Sequence, residues 1–355
     1  MTSIERINAV LHGEMPDMLP VVPQSFIFSA AAAGYSIGQI NRKPALMAKS
    51  HIICQEKYGY DGCVIDVDDA SLAEACGARV NWREDDVACV DEHHPALNSL
   101  EEIGDLELPD PLKSGRLCHW LEVTERLKDA IGDHVWIMGR ADQGPFSLLA
   151  LLRGAQNFML DLMTEDEEVI RRALNWAAEA HIRFALAQRE AGAHATSMGD
   201  SYASPNLVSP SVFRSFALKP EQETVRRVQT DDFPFSVHVC GDTNRILQEL
   251  GETGAKILEL DWRTDMKKAR EILPASAVMM GNVNPSYPLY TGTPEEVRAA
   301  VRSVIESTGG RGLFVSSGCA IGGNTPPENF AALVDAAREY GTAERLMELA
   351  ESGNP

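Results

Sequence analysis

Phe235-Ser236-Val237-His238-Val239-Cys240 is a short, mostly apolar run; a helical pattern follows it, and Lys256-Ile257-Leu258-Glu259-Leu260-Asp261 then repeats the form. Ala277 to Asn282 and Leu313 to Ser317 continue the series. Between those two, Thr293-Pro294-Glu295-Glu296 is a capping box with proline at the first helical position, leading into Val297 to Ile305. Pro326-Pro327-Glu328-Asn329 opens a further helix that runs past Tyr340. Upstream, the same alternation yields Leu19 to Pro23, Gly62 to Asp68, Val135 to Ala141 and Ala195 to Asp200. Strand and helix repeated about eight times, with no glycine-rich linker, predict an α/β fold, a closed parallel (β/α)8 TIM barrel forming a single domain over residues 1–355. An open doubly wound sheet is the alternative, but no G-x-G-x-x-G follows the first strand.

Composition narrows the function. Of 355 residues, 52 are acidic and 32 basic, a formal charge of -20 that excludes bulk capture of nucleic acid or of an anionic membrane. No apolar run approaches the roughly 20 residues of a membrane span; the longest, Phe146 to Leu152, ends at Arg153. The N-terminus places Glu5 and Arg6 inside a helical pattern and shows no signal peptide, so a cytoplasmic protein is expected. Seven cysteines, an odd number, read as reduced thiols, with any clustered ones candidates for metal.

In such barrels, function sits at the carboxyl ends of the strands. Here those ends read Asp66, Asp68, Arg140, Asp142, Gln143, Asp200, His238, Cys240, Asp261, Asn282 and Cys319, a polar mouth over an apolar barrel. One stretch breaks the repeat. Ser71 to Gly132, between the second and third strands, is longer than a βα unit needs. Ala78 to Trp82 and Val87 to Val90 flank the acidic Arg83-Glu84-Asp85-Asp86 as a hairpin, and a helical stretch covers Cys118 to Ile131. This insertion is either a lid or docking surface, or a decorated surface loop.

The sharpest local signal is His238-Val239-Cys240. Residues two apart on a strand share a face, so an imidazole and a thiol point together into the barrel mouth or away from it. Cys319, past the end of the last strand, is the candidate third ligand. Two thiolates and one imidazole suit zinc at about 2.0–2.3 Å, with an open fourth position in catalytic sites. Asp261 is a candidate for that position or else a hydrogen-bond partner for neighbouring backbone. The remaining five cysteines, Cys54, Cys63, Cys76, Cys89 and Cys118, read as small buried hydrophobes. No G-x-S-x-G elbow or Walker loop is present. His93, His94, His181 and His194 read as non-ligating.

Nearly the whole chain resembles a known superfamily. Gly144-Pro145-Phe146-Ser147-Leu148 through Asn157-Phe158 looks like its middle signature, and Val208-Ser209-Pro210-Ser211-Val212-Phe213 is similar to its S-P-x-x-F segment. His238 to Asp242, Gly281-Asn282-Val283 and Asn324 to Asn329 resemble its C-terminal half. It joins uroporphyrinogen decarboxylases with zinc-dependent corrinoid methyltransferases, including the methylcobamide:coenzyme M enzymes and those of methoxyaromatic demethylation. Where decarboxylases carry an arginine-rich segment that holds propionates, this chain reads Pro23-Gln24-Ser25-Phe26-Ile27-Phe28. The methyltransferase branch has the H-x-C and the late cysteine.

The resemblance therefore implies His238, Cys240 and Cys319 as zinc ligands, Asp261 at the place of a displaceable carboxylate, and Asp200, Tyr202 and Asn282 as substrate-side residues. Asp66, Asp68 and Glu74 either serve likewise or cap the start of the insertion. It implies Zn2+ as cofactor, a small-molecule methyl donor or acceptor, and a corrinoid (cobalamin) on a partner carrier protein, since no D-x-H-x-x-G segment is present. The alternatives are a porphyrinogen decarboxylase and a zinc-binding barrel without catalysis.

Overall fold

In the computed structural model, which describes residues 1–66 and 68–351, seven parallel strands form one curled sheet. In chain order the strands of the molecule are β1 (Gly62–Val64), β2 (Val80–Asn81), β3 (Cys89–Val90), β4 (Trp136–Gln143), β5 (Ala195–Gly199), β6 (Phe235–Val239), β7 (Ile257–Leu260), β8 (Val278–Val283) and β9 (Leu313–Ser317). The sheet runs β1-β4-β5-β6-β7-β8-β9, while β2 and β3 pair antiparallel as a separate hairpin. This is the expected (β/α)8 barrel with two differences at its edges. Gly62 to Asp68 shortens to β1, and Val67, inside that expectation, lies outside the described residues.

The other difference is the first stave. Leu19 to Pro23 bridges the two sheet edges instead of forming a full strand. Val22 N donates to Val315 O at 2.9 Å, Val315 N donates to Pro20 O at 2.9 Å, and Asp61 N donates to Val21 O at 2.8 Å. Pro20 and Pro23 have no N–H, and Val21 N is taken by the Asp61 carboxylate at 2.9 Å. Only Val22 is left to donate to the ladder, so the barrel closes through a single bridge.

Alternation assigns the layers. Phe235, Val237 and Val239 point out to the helices, and Ser236 and His238 point in. On β7, Leu258 and Leu260 point out while Ile257 and Glu259 point in. The amino-terminal end is sealed by Ile7, Val10 and Leu11 of the helix Ser3–Leu11, packed with Trp136, Ile257 and Phe314. That helix starts as a capping box, Thr2 accepting from Glu5 N and Glu5 accepting from Thr2 N. With one end plugged by apolar side chains, the opening lies at the carboxyl ends of the strands.

The predicted Thr293 capping box is present at the head of Pro294–Thr308. The insertion contains the helix Ser71–Ala75, the β2/β3 hairpin and the helix Leu117–Ile131. Among the described residues, no helix is long and apolar enough to cross a membrane.

Candidate metal centre

Above the apolar plug lies an ionic layer. Arg140, from β4, is buried between Asp66 at 3.0 Å and Glu259 at 2.9 Å, and Ser236 Oγ donates to Glu259 at 2.7 Å. Glu259 also positions the next layer through its backbone: His238 Nδ1 lies 2.9 Å from Glu259 O. A proton on Nδ1 serves that carbonyl, so Nε2 presents its lone pair to the mouth. Nε2 stands 3.0 Å from Cys240 Sγ, and the donor atoms of His238, Cys240 and Cys319 all lie within 4.8 Å of one another.

Two glycines bring the thiols there. Gly241 turns the chain at φ +91°, and a Cβ on it would meet Asn206 Oδ1 at 2.2 Å. Gly318 lets the end of β9 pack on the next turn, since a Cβ there would sit 2.3 Å from Trp262 N. Donors around one tetrahedral ion at zinc distances stand about 3.3–3.8 Å apart, so small side-chain adjustments close this set on a cation.

The hydrogen bond between the two thiols holds Cys240 below the ordinary thiol range, against the opposing effect of burial, and drives Cys319 up. At His238 burial pulls the imidazole down, but the hydrogen bond and charge of Cys319 outweigh it and the net shift is upward. Three soft or borderline donors sharing protons in one buried spot fit a thiophilic divalent cation.

The other expected site residues part ways. Asp261 does not join the three donor atoms: Oδ2 accepts from Gly241 N and Oδ1 from Arg263 N, both at 2.9 Å. In this geometry both of its oxygens accept from backbone. Asn282 is a loop brace, donating to Asp261 O at 3.0 Å and Thr264 O at 2.8 Å. Asp200 lies beneath the mouth, where Oδ1 accepts from Ser147 N at 2.7 Å and Ser147 Oγ at 2.6 Å at the head of the helix Pro145–Arg153. Of the expected substrate-side residues, Tyr202 alone lines the cavity, where its hydroxyl meets Glu92.

That cavity, about 320 Å³, is bounded by the three donors, the strand ends and Val87 to Val90 of the hairpin. Cys89 lines it half-buried, and Cys118 is also half-buried, so these two depart from the buried-hydrophobe expectation that Cys54, Cys63 and Cys76 meet. Asp68 and Glu74 are tied to Arg116 at 2.6 and 2.7 Å, and Asp68 also caps Ala70 N.

Sequence reasoning did not single out Asp69, Gln24 or Glu259. Glu259 was findable, since it shares the inward face with Ile257. Asp69 stands exposed at the cavity, where the enclosing protein and the neighbouring Asp68 hold its carboxyl above the ordinary value against the pull of Arg140.

A parallel barrel carrying one imidazole and two thiols at its mouth defines the class. The chain belongs to the uroporphyrinogen decarboxylase (URO-D) family, whose sequence profile matches residues 2–340. It is similar to a methylcobamide:CoM methyltransferase of Methanosarcina barkeri, 28% identical over 339 residues, 94% of this chain and 97% of that one. It is also similar to a uroporphyrinogen decarboxylase of Prochlorococcus marinus, 28% identical over 249 residues, 68% of each chain. Among solved structures, a methyltransferase from Methanosarcina mazei superposes with a TM-score of 0.87 at 28% identity, covering 96% of this chain and 99% of that one.

Proposed function

We propose that the protein is a zinc-dependent methyltransferase that moves a methyl group between a corrinoid on a partner carrier protein and a small thiol, methyl ether or methyl thioether. The observation that carries this reading is the convergence of His238, Cys240 and Cys319 at the mouth, in a chain related end to end to methylcobamide:CoM methyltransferases. Bound zinc would supply a Lewis acid that keeps a thiol deprotonated near neutral pH or polarises a methyl–oxygen or methyl–sulfur bond.

The chain's own residues do the rest. Glu259 O fixes the His238 ring, and the Gly241 and Arg263 amides orient the Asp261 carboxylate. A metal held by His238, Cys240 and Cys319 alone would be open to substrate. Val87 to Val90 roof the cavity and limit water at the reacting atoms. The volume is at the small end of ligand pockets, about 300–1,000 Å³, which suits a compact substrate.

The decarboxylase reading draws on the Prochlorococcus relative, yet a polycarboxylate needs cations. Arg140, the cation lining this cavity among the described residues, is already paired with Asp66 and Glu259.

The test is elemental analysis of protein purified without added metal or a polyhistidine tag, beside His238→Ala, Cys240→Ser and Cys319→Ser. About one zinc per chain, lost in each variant while circular dichroism is unchanged, is the expected result. A parent that neither carries nor takes up metal would end the methyltransferase reading.

A further inference from the structure

We infer that the small substrate is neutral or cationic at the end remote from the transferred methyl, and that the cavity rejects a compact anion such as a sulfonate or carboxylate. This deepens the reading above and rests on it.

Four carboxylates line the cavity, those of Asp66, Asp68, Asp69 and Glu92, against the single guanidinium of Arg140. Arg140 is ion-paired with Asp66 and Glu259, and Arg116 with Asp68 and Glu74. Each cation's charge is already matched by two carboxylates, so a ligand anion would lose its water against like charge. An ammonium or hydroxyl meets the opposite situation, because Asp69 and Glu92 have no Lys or Arg partner among the ion pairs of the described residues.

A second observation points to a ligand in the same space. Gln24 and Gln143 are 2% and 3% exposed, both line the cavity, and Gln24 Nε2 and Gln143 Oε1 have no hydrogen-bond partner. Gln143 is also hydrogen-bonded to Asp69, so its free oxygen and that carboxylate form one acceptor edge. Buried amide groups left open cost stability, and a bound molecule with N–H or O–H donors beside one acceptor would satisfy both glutamines.

Three thiols with the same two-carbon spacing test this: 2-aminoethanethiol, 2-mercaptoethanol and 2-mercaptoethanesulfonate. Their binding to the cobalt(II)-loaded full chain at neutral pH is read from the thiolate-to-cobalt absorption. We expect the amine to bind tightest and the sulfonate weakest, with about tenfold or more between the extremes. Asp69→Asn should narrow that spread by about tenfold. The variant also controls for the thiols' different acidities, which are the same in both proteins.

Sulfonate binding equal to or tighter than the amine would overturn the inference and leave the thiol-activating site standing. No absorption change with any thiol would overturn the inference together with the thiol arm of the proposed function. Should Asp69→Asn fail to fold, the ranking in the parent protein decides.

Discussion

Asp200 illustrates how far a residue's role depends on what surrounds it. Its place at the end of β5 suggests the substrate side, but its carboxylate is fully buried under the helix Pro145–Arg153 and faces Glu221. Burial pushes the Asp200 carboxyl up to about 6, and Glu221 is raised further by burial and by Asp200 itself. A carboxyl whose folded value exceeds its unfolded one stabilises the fold below about pH 4, and that contribution is lost as pH rises through about 6. Ionising Asp200 thus costs about 3 kcal/mol of stability over that window. Asp200→Asn keeps an acceptor for Ser147 and gains a donor toward Glu221. Urea unfolding at several pH values should show a fall between pH 4 and 6 that is shallower by about that amount, with bound zinc unchanged. An unaltered slope would put the titrating proton on another group.

The β2/β3 hairpin is the element whose existence was readable and whose orientation was not. Alternation around Arg83 to Asp86 located it, but its contact with the mouth depends on Arg116, from 26 residues beyond β3. Arg116 stacks on Trp82 at 4.6 Å and anchors the buried Asp68 as well as Glu74. No local pattern announces such a clamp, because its partners lie 42 and 48 residues away. Arg116→Met removes the charge but keeps a stem, leaving the Asp68 carboxylate buried without its cation. The expected cost is about 3–5 kcal/mol, with faster proteolysis within residues 69–92. A stability change under about 1 kcal/mol would mean that Asp68 is held by its Ala70 and Ser71 contacts alone.

At the scale of the molecule, the main apolar packing of the barrel is separate from the candidate metal site. The plug of Ile7, Trp136 and Phe314 and the outer cluster between strands and helices lie apart from the three donors. Chelation should therefore lower the thermal midpoint by about 5–10 °C, as expected for losing a ligand present well above its dissociation constant, while unfolding stays cooperative. Collapse of the cooperative transition on chelation would make the metal structural.

The sequence alone determined the barrel, because alternating strand and helix patterns, proline-led capping boxes and two-residue periodicity act over a few neighbouring residues. It also determined that His238 and Cys240 share a face, and it named Cys319 as a partner. Folding in three dimensions decided that the thiol of Cys319 reaches that imidazole, since Gly318 must pack against the Trp262 turn for it to do so. It decided that Asp261 turns to backbone amides, that Asn282 braces a loop, and that the mouth carries more negative than positive charge. Those outcomes depend on which buried polar groups find partners, and the partners come from strands and loops far apart in the chain.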